Sequence, residues 1–189
     1  TRKIHNFSND ECQFGYRDSI FKKKLKGKFI ILSVCFTLQQ FPHSINISYG
    51  AIHSQLANKT ATIQNIAEAV ISIRLSKLPN PKQIGNSGSF FKNPIITLNN
   101  YRKLQQLFPK IPQYPNKEGF VKIPAGWIIE SLGFKGMREG DAGVHEKQAL
   151  VLVNYGTASG NEILALSNKI QKAALDKFGI SLETEVNIL

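Results

Sequence analysis

Ala149-Leu-Val-Leu-Val153, followed after a short polar interval by Ser159-Gly-Asn-Glu162, is the stretch on which the fold turns. The first segment is an apolar run of strand length. In the second, Ser159 and Glu162 have the spacing of a capping box, where hydroxyl and carboxylate satisfy backbone N–H groups left over at a helix start. The helix that opens there turns Ile163, Leu166, Ile170, Ala173 and Ala174 inward and ends at Gly179. Beyond it, Ile180 to Ile188 alternates: Glu183, Glu185 and Asn187 share one face, and Leu182, Thr184, Val186 and Ile188 the other. That period of two predicts a terminal strand carrying two acids side by side.

Working outward, Lys28 to Leu38 is rich in β-branched and aromatic residues after a turn at Gly27 and predicts a buried strand. Gln39 to Ser48 reads as a loop broken by Pro42. Thr60 to Leu75 has apolar residues at Ile63, Ile66, Ala67, Val70 and Ile73, a helical spacing with Thr60 or Thr62 as cap. Lys77-Leu-Pro-Asn-Pro-Lys82 stops that helix and is the expected domain boundary. Next come a Gly/Ser/Asn-rich loop at Gly85-Asn-Ser-Gly-Ser89, a short strand at Ile95-Ile-Thr97 and a helix from Thr97 through Phe108. Pro109 to Gly119 reads as a turn-rich loop carrying Tyr114, Phe120 to Ile123 as a strand, and Ala125 to Leu132 as a helix closed by Gly133. Gly136, Gly140 and Gly143 predict an irregular segment. No tandem repeat occurs, and the order of elements is that of an α+β protein.

A chain of 189 residues with 42% hydrophobic content holds one or two folded domains. Its longest apolar candidate, Phe29 to Leu38, is interrupted by Ser33 and Thr37 and is too short to span a bilayer. The N-terminus carries no apolar signal region, and its missing Met reads as a fragment or a processed chain. Cys12 and Cys35 are too few for a disulfide framework and lack metal-ligand spacing, which predicts reduced thiols in a cytoplasmic protein. The four histidines, His5, His43, His53 and His145, are scattered, so no metal site is expected. The net charge of +11 and pI near 9.7 admit two partners: an anionic ligand, or nucleic acid. Lys22, Lys23, Lys24, Lys26 and Lys28 crowd one segment, which reads as a solvated turn or edge guard or as one wall of a basic groove.

Several residues could carry chemistry. Gly85 to Ser89 allows close backbone approach and offers N–H groups and hydroxyls suited to an anion, or is a plain turn; with Phe90 and Phe91 following, it is not a phosphate-binding P-loop. Tyr16-Arg17-Asp18-Ser19 sets a fixed cation beside a phenol, a clamp for a carboxylate or an ordinary Arg–Asp surface contact. Glu185 is either a general acid or part of a solvated strand face, and His145 either a loop residue or a catalyst.

Together and in order, these words match one family. Phe14-Gly-Tyr-Arg-Asp-Ser19, Lys77-Leu-Pro-Asn-Pro-Lys82, Gly88-Ser-Phe-Phe-Lys-Asn-Pro94, Ala125-Gly-Trp-Ile-Ile-Glu130, Gly133-Phe-Lys-Gly136, His145-Glu-Lys-Gln-Ala-Leu-Val-Leu-Val-Asn154 and Phe178-Gly-Ile-Ser-Leu-Glu-Thr-Glu-Val186 resemble successive blocks of UDP-N-acetylenolpyruvoylglucosamine reductases. The resemblance covers nearly the whole chain, and Gly-Ser-Phe-Phe-Lys-Asn-Pro is its most specific word. Tyr49 and the Tyr114 loop resemble the subclass in which a tyrosine loop closes over substrate.

The resemblance implies a flavoenzyme of peptidoglycan precursor synthesis that uses NADPH and FAD to reduce UDP-N-acetylglucosamine enolpyruvate, with no nucleic-acid or membrane partner. It assigns Arg17, Ser89 and Glu185 to catalysis, with Glu183 structural, and Tyr49, Lys77, Asn93, Tyr114, Gln148 and Arg74 to substrate contact. The implied architecture is the tail of a flavin-binding α+β domain, residues 1–76, followed by a small α/β substrate-binding domain over 77–179. A strand over 180–189 then returns to the flavin domain. Most of the flavin-binding part, including its own glycine-rich segments, has no counterpart in these residues. A non-catalytic basic module that binds nucleic acid or anions is the competing expectation; it calls for aromatics among the lysines, and only Phe21 and Phe29 flank them.

Overall fold

In the computed structural model, residues 3–48, 51–57 and 59–188 are described. They divide into two compact units, Thr1–Ser44 and Ile45–Leu189. In the first, helix α1 (Asn9–Cys12) starts at a capping box: the Glu11 N–H donates to Ser8 Oγ, and the Ser8 N–H donates to the Glu11 carboxylate. Gly15 and Asp18 then exchange both backbone hydrogen bonds around a tight turn, and a single 3₁₀ turn covers Ile20–Lys22. Phe7 meets the edges of Phe21 and Phe29 at 5.1 Å, an aromatic cluster that holds this unit.

The strand expected at Lys28 to Leu38 does not form. Residues 29–40 carry no regular structure, and Ile30, Leu32, Phe36 and Leu38 are exposed. A strand exists through its hydrogen-bonded neighbour, and no described segment pairs with this one; its composition has strand propensity without a sheet to join.

The second unit opens with α2 (Ile52–Leu56) and α3 (Ile63–Lys77), packed around Ile52, Leu56 and Ala69 with Ile66, Val70 and Ile73 against them. Thr62 caps α3 by accepting from the Asn65 N–H. The inward stripe is Ile66, Ala69, Val70 and Ile73, so Ile63 and Ala67, expected inside, lie exposed; small Ala69 takes the closest seat at the crossing.

The larger core belongs to two antiparallel sheets and three helices. One sheet runs in the order β1 (Gly85–Ser89), β7 (Val151–Asn154), β6 (Ala142–Val144), β5 (Arg138–Glu139); the other runs β2 (Ile95–Thr97), β4 (Phe120–Lys122), β3 (Tyr114–Pro115). Between β5 and β6 lies a two-residue turn at Gly140 and Asp141, with Gly140 at φ 59°, so the glycine segment expected to be irregular is a hairpin. Helix α4 (Leu98–Leu107) is capped by Thr97 and α6 (Gly160–Phe178) by the Ser159–Glu162 box, and α6 ends at left-handed Gly179. Helix α5 (Ala125–Ser131) follows Pro124. Ile123, Ile128, Ile129, Leu166 and Ile170 are fully buried between these layers, an α+β arrangement.

Two expectations change here. Gly85 to Ser89, read as a loop, is a strand: it pairs antiparallel with β7, whose Val151, Leu152 and Val153 are buried, with Gly85 opposite Asn154, Asn86 opposite Val153 and Ser89 opposite Val151. Its composition is poor for a strand, but β7 presents a ladder that must be satisfied, and the register shift between Asn86 and Ser89 absorbs Gly88 as a bulge at φ 75°. Ile180 to Ile188, read as a strand, forms one isolated bridge, Phe91 opposite Thr184, although Ile180 and Leu182 are buried in the core as the alternation required.

Candidate functional site

Ser89 stands at the end of the bulged strand. Asn86 shapes that bulge: its Oδ1 accepts from the Gly88 N–H at 3.0 Å and its Nδ2 donates to Ile84 O at 2.9 Å. Immediately after, the Phe90 N–H donates to Leu150 O at 2.7 Å, so Ser89 is flanked by one N–H held by the Asn86 side chain and one held by backbone. Ser89 is half-buried, and its hydroxyl has no partner among the described residues.

The C-terminal segment comes back to this place. The Glu185 N–H donates to Phe90 O at 2.8 Å and the Lys92 N–H to Glu183 O at 2.8 Å, flanking the Phe91–Thr184 bridge. Glu185, half-buried, is thus laid against the residue next to Ser89, and Glu183 forms an ion pair with Lys92. The fold thus brings the Glu185 backbone to the residue that follows Ser89, although the two positions are far apart in the sequence.

Asn93 and Gln148 converge at the start of α5. Ala125 is fully buried, and its N–H, which Pro124 gives no side-chain cap, donates to Asn93 Oδ1 at 2.9 Å. A Cβ added at Gly126 would lie 3.5 Å from Gln148 Oε1. Tyr114 sits in β3 opposite Lys122, whose ammonium lies 5.9 Å from the ring centroid; the ring is half exposed. Arg74 and Lys77 occupy the last turn of α3, both exposed, where cations meet the negative end of the helix. Tyr49 lies outside the described residues.

Arg17 belongs to the first unit. It occupies the Gly15–Asp18 turn at φ 54°, a left-handed conformation uncommon for a residue with a Cβ, and its carbonyl accepts from Lys22 Nζ at 3.1 Å. Asp18 forms an ion pair with Lys23 and accepts from the Ser19 N–H. Two of the clustered lysines are therefore engaged in local structure.

His145 is buried, and its N–H continues the ladder to Val151 O at 2.9 Å. Burial holds its imidazole below the ordinary histidine value, so it is neutral, and its Nδ1 finds no partner among the described residues. This is the loop-residue reading of His145. Asn86, Lys92 and Thr184 were not singled out from sequence. An Asn two residues before a Gly is a signal for the Asx turn that Asn86 makes, whereas Lys92 and Thr184 gave none.

Gly85 to Ser89 does not offer a cradle for a flavin diphosphate. The glycine-rich stretch that could have held a diphosphate pairs with β7, and the Gly88 N–H is engaged by Asn86. The cleft lined by Leu107, Phe108, Pro109, Lys110 and Trp127, about 320 Å³, is apolar.

Residues 80–189 match the model of the family described as UDP-N-acetylenolpyruvoylglucosamine reductase, C-terminal domain. The chain is 52% identical over 192 residues to the UDP-N-acetylenolpyruvoylglucosamine reductase of Flavobacterium johnsoniae, covering all of this chain and 57% of that protein. It is 46% identical over 191 residues to the enzyme of the same name from Pseudomonas putida, covering all of this chain and 56% of that one. With the Porphyromonas gingivalis relative it shares 45% over 185 residues, 97% of this chain and 54% of that protein. The chain therefore spans a little over half the length of these relatives. A solved structure of UDP-N-acetylenolpyruvylglucosamine reductase from Thermus caldophilus aligns with 66% of this chain and 33% of its own, at 24% identity and a TM-score of 0.40.

Proposed function

The chain belongs to the UDP-N-acetylenolpyruvoylglucosamine reductase family, and on that premise we propose that it forms the substrate side of a cytoplasmic reductase of peptidoglycan precursor synthesis. The reaction is the NADPH- and FAD-dependent reduction of UDP-N-acetylglucosamine enolpyruvate to UDP-N-acetylmuramate. The observation that supports this reading is the hydrogen bond from the Glu185 N–H to Phe90 O, which holds the Glu185 backbone against the residue that follows Ser89. We assign residues 1–76 to the C-terminal part of a flavin-binding domain, 77–179 to the substrate domain and 180–189 to a strand returning to the flavin domain.

Ser89 delivers a proton to C2 of the enolpyruvyl group. A serine hydroxyl is a weak acid, so the step needs close approach and adjacent positive charge. Arg17, planar and always cationic, stabilises the negative charge that develops toward the substrate carboxylate, and removing one such preorganised donor costs about 3 kcal/mol of transition-state stabilisation. Glu185 orients the same region.

Lys77, Asn93 and Tyr114 suit the diphosphate, with Tyr49, Gln148 and Arg74 completing the substrate contacts; Tyr49 and Tyr114 give the tyrosine-loop subclass. Asn93 uses one lone pair of its Oδ1 to hold Ala125, and its NH₂ group offers a ligand two donors, which fits a phosphate oxygen. FAD and NADPH supply the redox chemistry, and none of it is assigned to the described residues.

The test is NADPH oxidation by the flavin-loaded protein carrying this chain, with and without UDP-N-acetylglucosamine enolpyruvate, alongside DNA binding at two salt concentrations. Oxidation that requires the enolpyruvyl substrate supports the reductase reading. A flavin-loaded protein without such oxidation, but with steeply salt-dependent DNA affinity, would establish the basic module in its place.

A further inference from the structure

The segment that carries Glu185 is secured by little backbone. Around Thr184 there are two hydrogen bonds, Lys92 N–H to Glu183 O and Glu185 N–H to Phe90 O, both 2.8 Å. Pairing that short leaves register weakly specified. Glu183 and Glu185 lie two residues apart and so share a face, which makes the competing register concrete. Moving the segment by two residues would put the Glu185 carboxylate on Lys92 and carry it about 6.6 Å from Phe90, at the ordinary rise per strand residue.

Three features oppose that shift. Ile180 and Leu182 are buried, and Gln171 Nε2 donates to Leu182 O at 2.7 Å, which anchors the chain up to Leu182. At Glu183 the ion pair with Lys92 adds a side-chain tie to the backbone bond. The Lys92 side chain is 23% exposed and that of Glu183 73%, so the ammonium is partly withdrawn from water and is costly to leave without an acid.

Resting on the reductase reading, we propose that Lys92 and Glu183 form a register lock whose function is to hold Glu185 in register against Phe90, the residue that follows Ser89. Neither touches the reacting atoms; both are positioning residues. Lys92 belongs to the Gly88–Pro94 motif and Glu183 to the terminal one, and the lock joins the two.

The test uses the flavin-loaded protein with Lys92→Met, Glu183→Gln and the charge exchange Lys92→Glu with Glu183→Lys. Hydrogen exchange at the Glu185 amide is expected to quicken about fivefold in each single variant, the scale of a partly exposed ion pair, and to recover in the exchanged pair. The amides of Val151 to Asn154 should keep their protection. Substrate turnover is expected to fall about tenfold in kcat with little change in KM, as misplacement of a catalytic group does, while reduction of the flavin by NADPH is unaffected. Equal Glu185 protection in all variants would overturn the lock. So would loss of turnover in Lys92→Met alone with no recovery on exchange, because Lys92 would then act on substrate directly. A wild type with protected Glu185 and lock-sensitive exchange that nonetheless fails to reduce substrate would sink the reductase reading and leave the lock standing.

Discussion

At Gly143 a Cβ would stand 2.7 Å from the Tyr155 ring and 2.9 Å from Met137 O, and the carbonyl cannot swing away because it accepts the Val144 N–H in the β5–β6 hairpin. Gly143→Ala should therefore destabilise the protein by about 2 kcal/mol, read as a lowered melting temperature, and an unchanged melt would mean that the hairpin gives way freely. His145 makes a pH prediction. Its folded pKa lies below the ordinary 6.5, so between the two values the unfolded chain binds the proton and the folded one does not. The stability this contributes is present above the ordinary value and is lost as pH falls through the folded one. Lowering pH from about 7 to about 5 should lower the melting temperature, and His145→Gln should reduce that fall; equal falls in both proteins would contradict it. Sequence words brought Ser89, Arg17 and Glu185 into view at this scale. They could not reveal that Lys92 meets Glu183, because no local period relates residues brought together by a chain reversal.

Elements with their own punctuation were legible. Ser159 and Glu162 opened α6, Gly179 closed it, Thr97 capped α4 and Thr62 capped α3, since capping acts within a few residues. What was not legible depends on neighbours. Gly85 to Ser89 is a strand because β7 requires a partner, while residues 29–40 have strand composition and no strand to pair with among the described residues. Helix α5 shows the same dependence, because its cap comes from Asn93 on a different part of the chain. Asn93→Asp keeps the acceptor and adds negative charge at a helix start, so its melting temperature should hold, whereas Asn93→Ala should lose about 1 kcal/mol. Both variants remove the amide donor, and both should weaken substrate binding. A melting temperature that falls equally in the two would show that the cap is not what Asn93 contributes to stability.

Over the whole molecule, 24 Lys and Arg face 13 Asp and Glu, so cations outnumber acids however the pairs are drawn. Lys23, Lys92, Lys135, Arg138 and Lys169 are committed to acids in ion pairs. The excess charge is available to a nucleotide-sugar diphosphate, and in that case substrate affinity should weaken as ionic strength rises. Within the reductase reading, we propose that this chain provides the proton that completes substrate reduction, with Ser89 as its source. It is tested most directly in a single turnover, by reducing the bound flavin with NADPH, removing excess nucleotide and mixing with UDP-N-acetylglucosamine enolpyruvate. Wild type should reoxidise its flavin and yield UDP-N-acetylmuramate, while Ser89→Ala should accept electrons from NADPH at the wild-type rate and then fail to pass them on. A Ser89→Ala protein that forms product as fast as wild type would contradict the account.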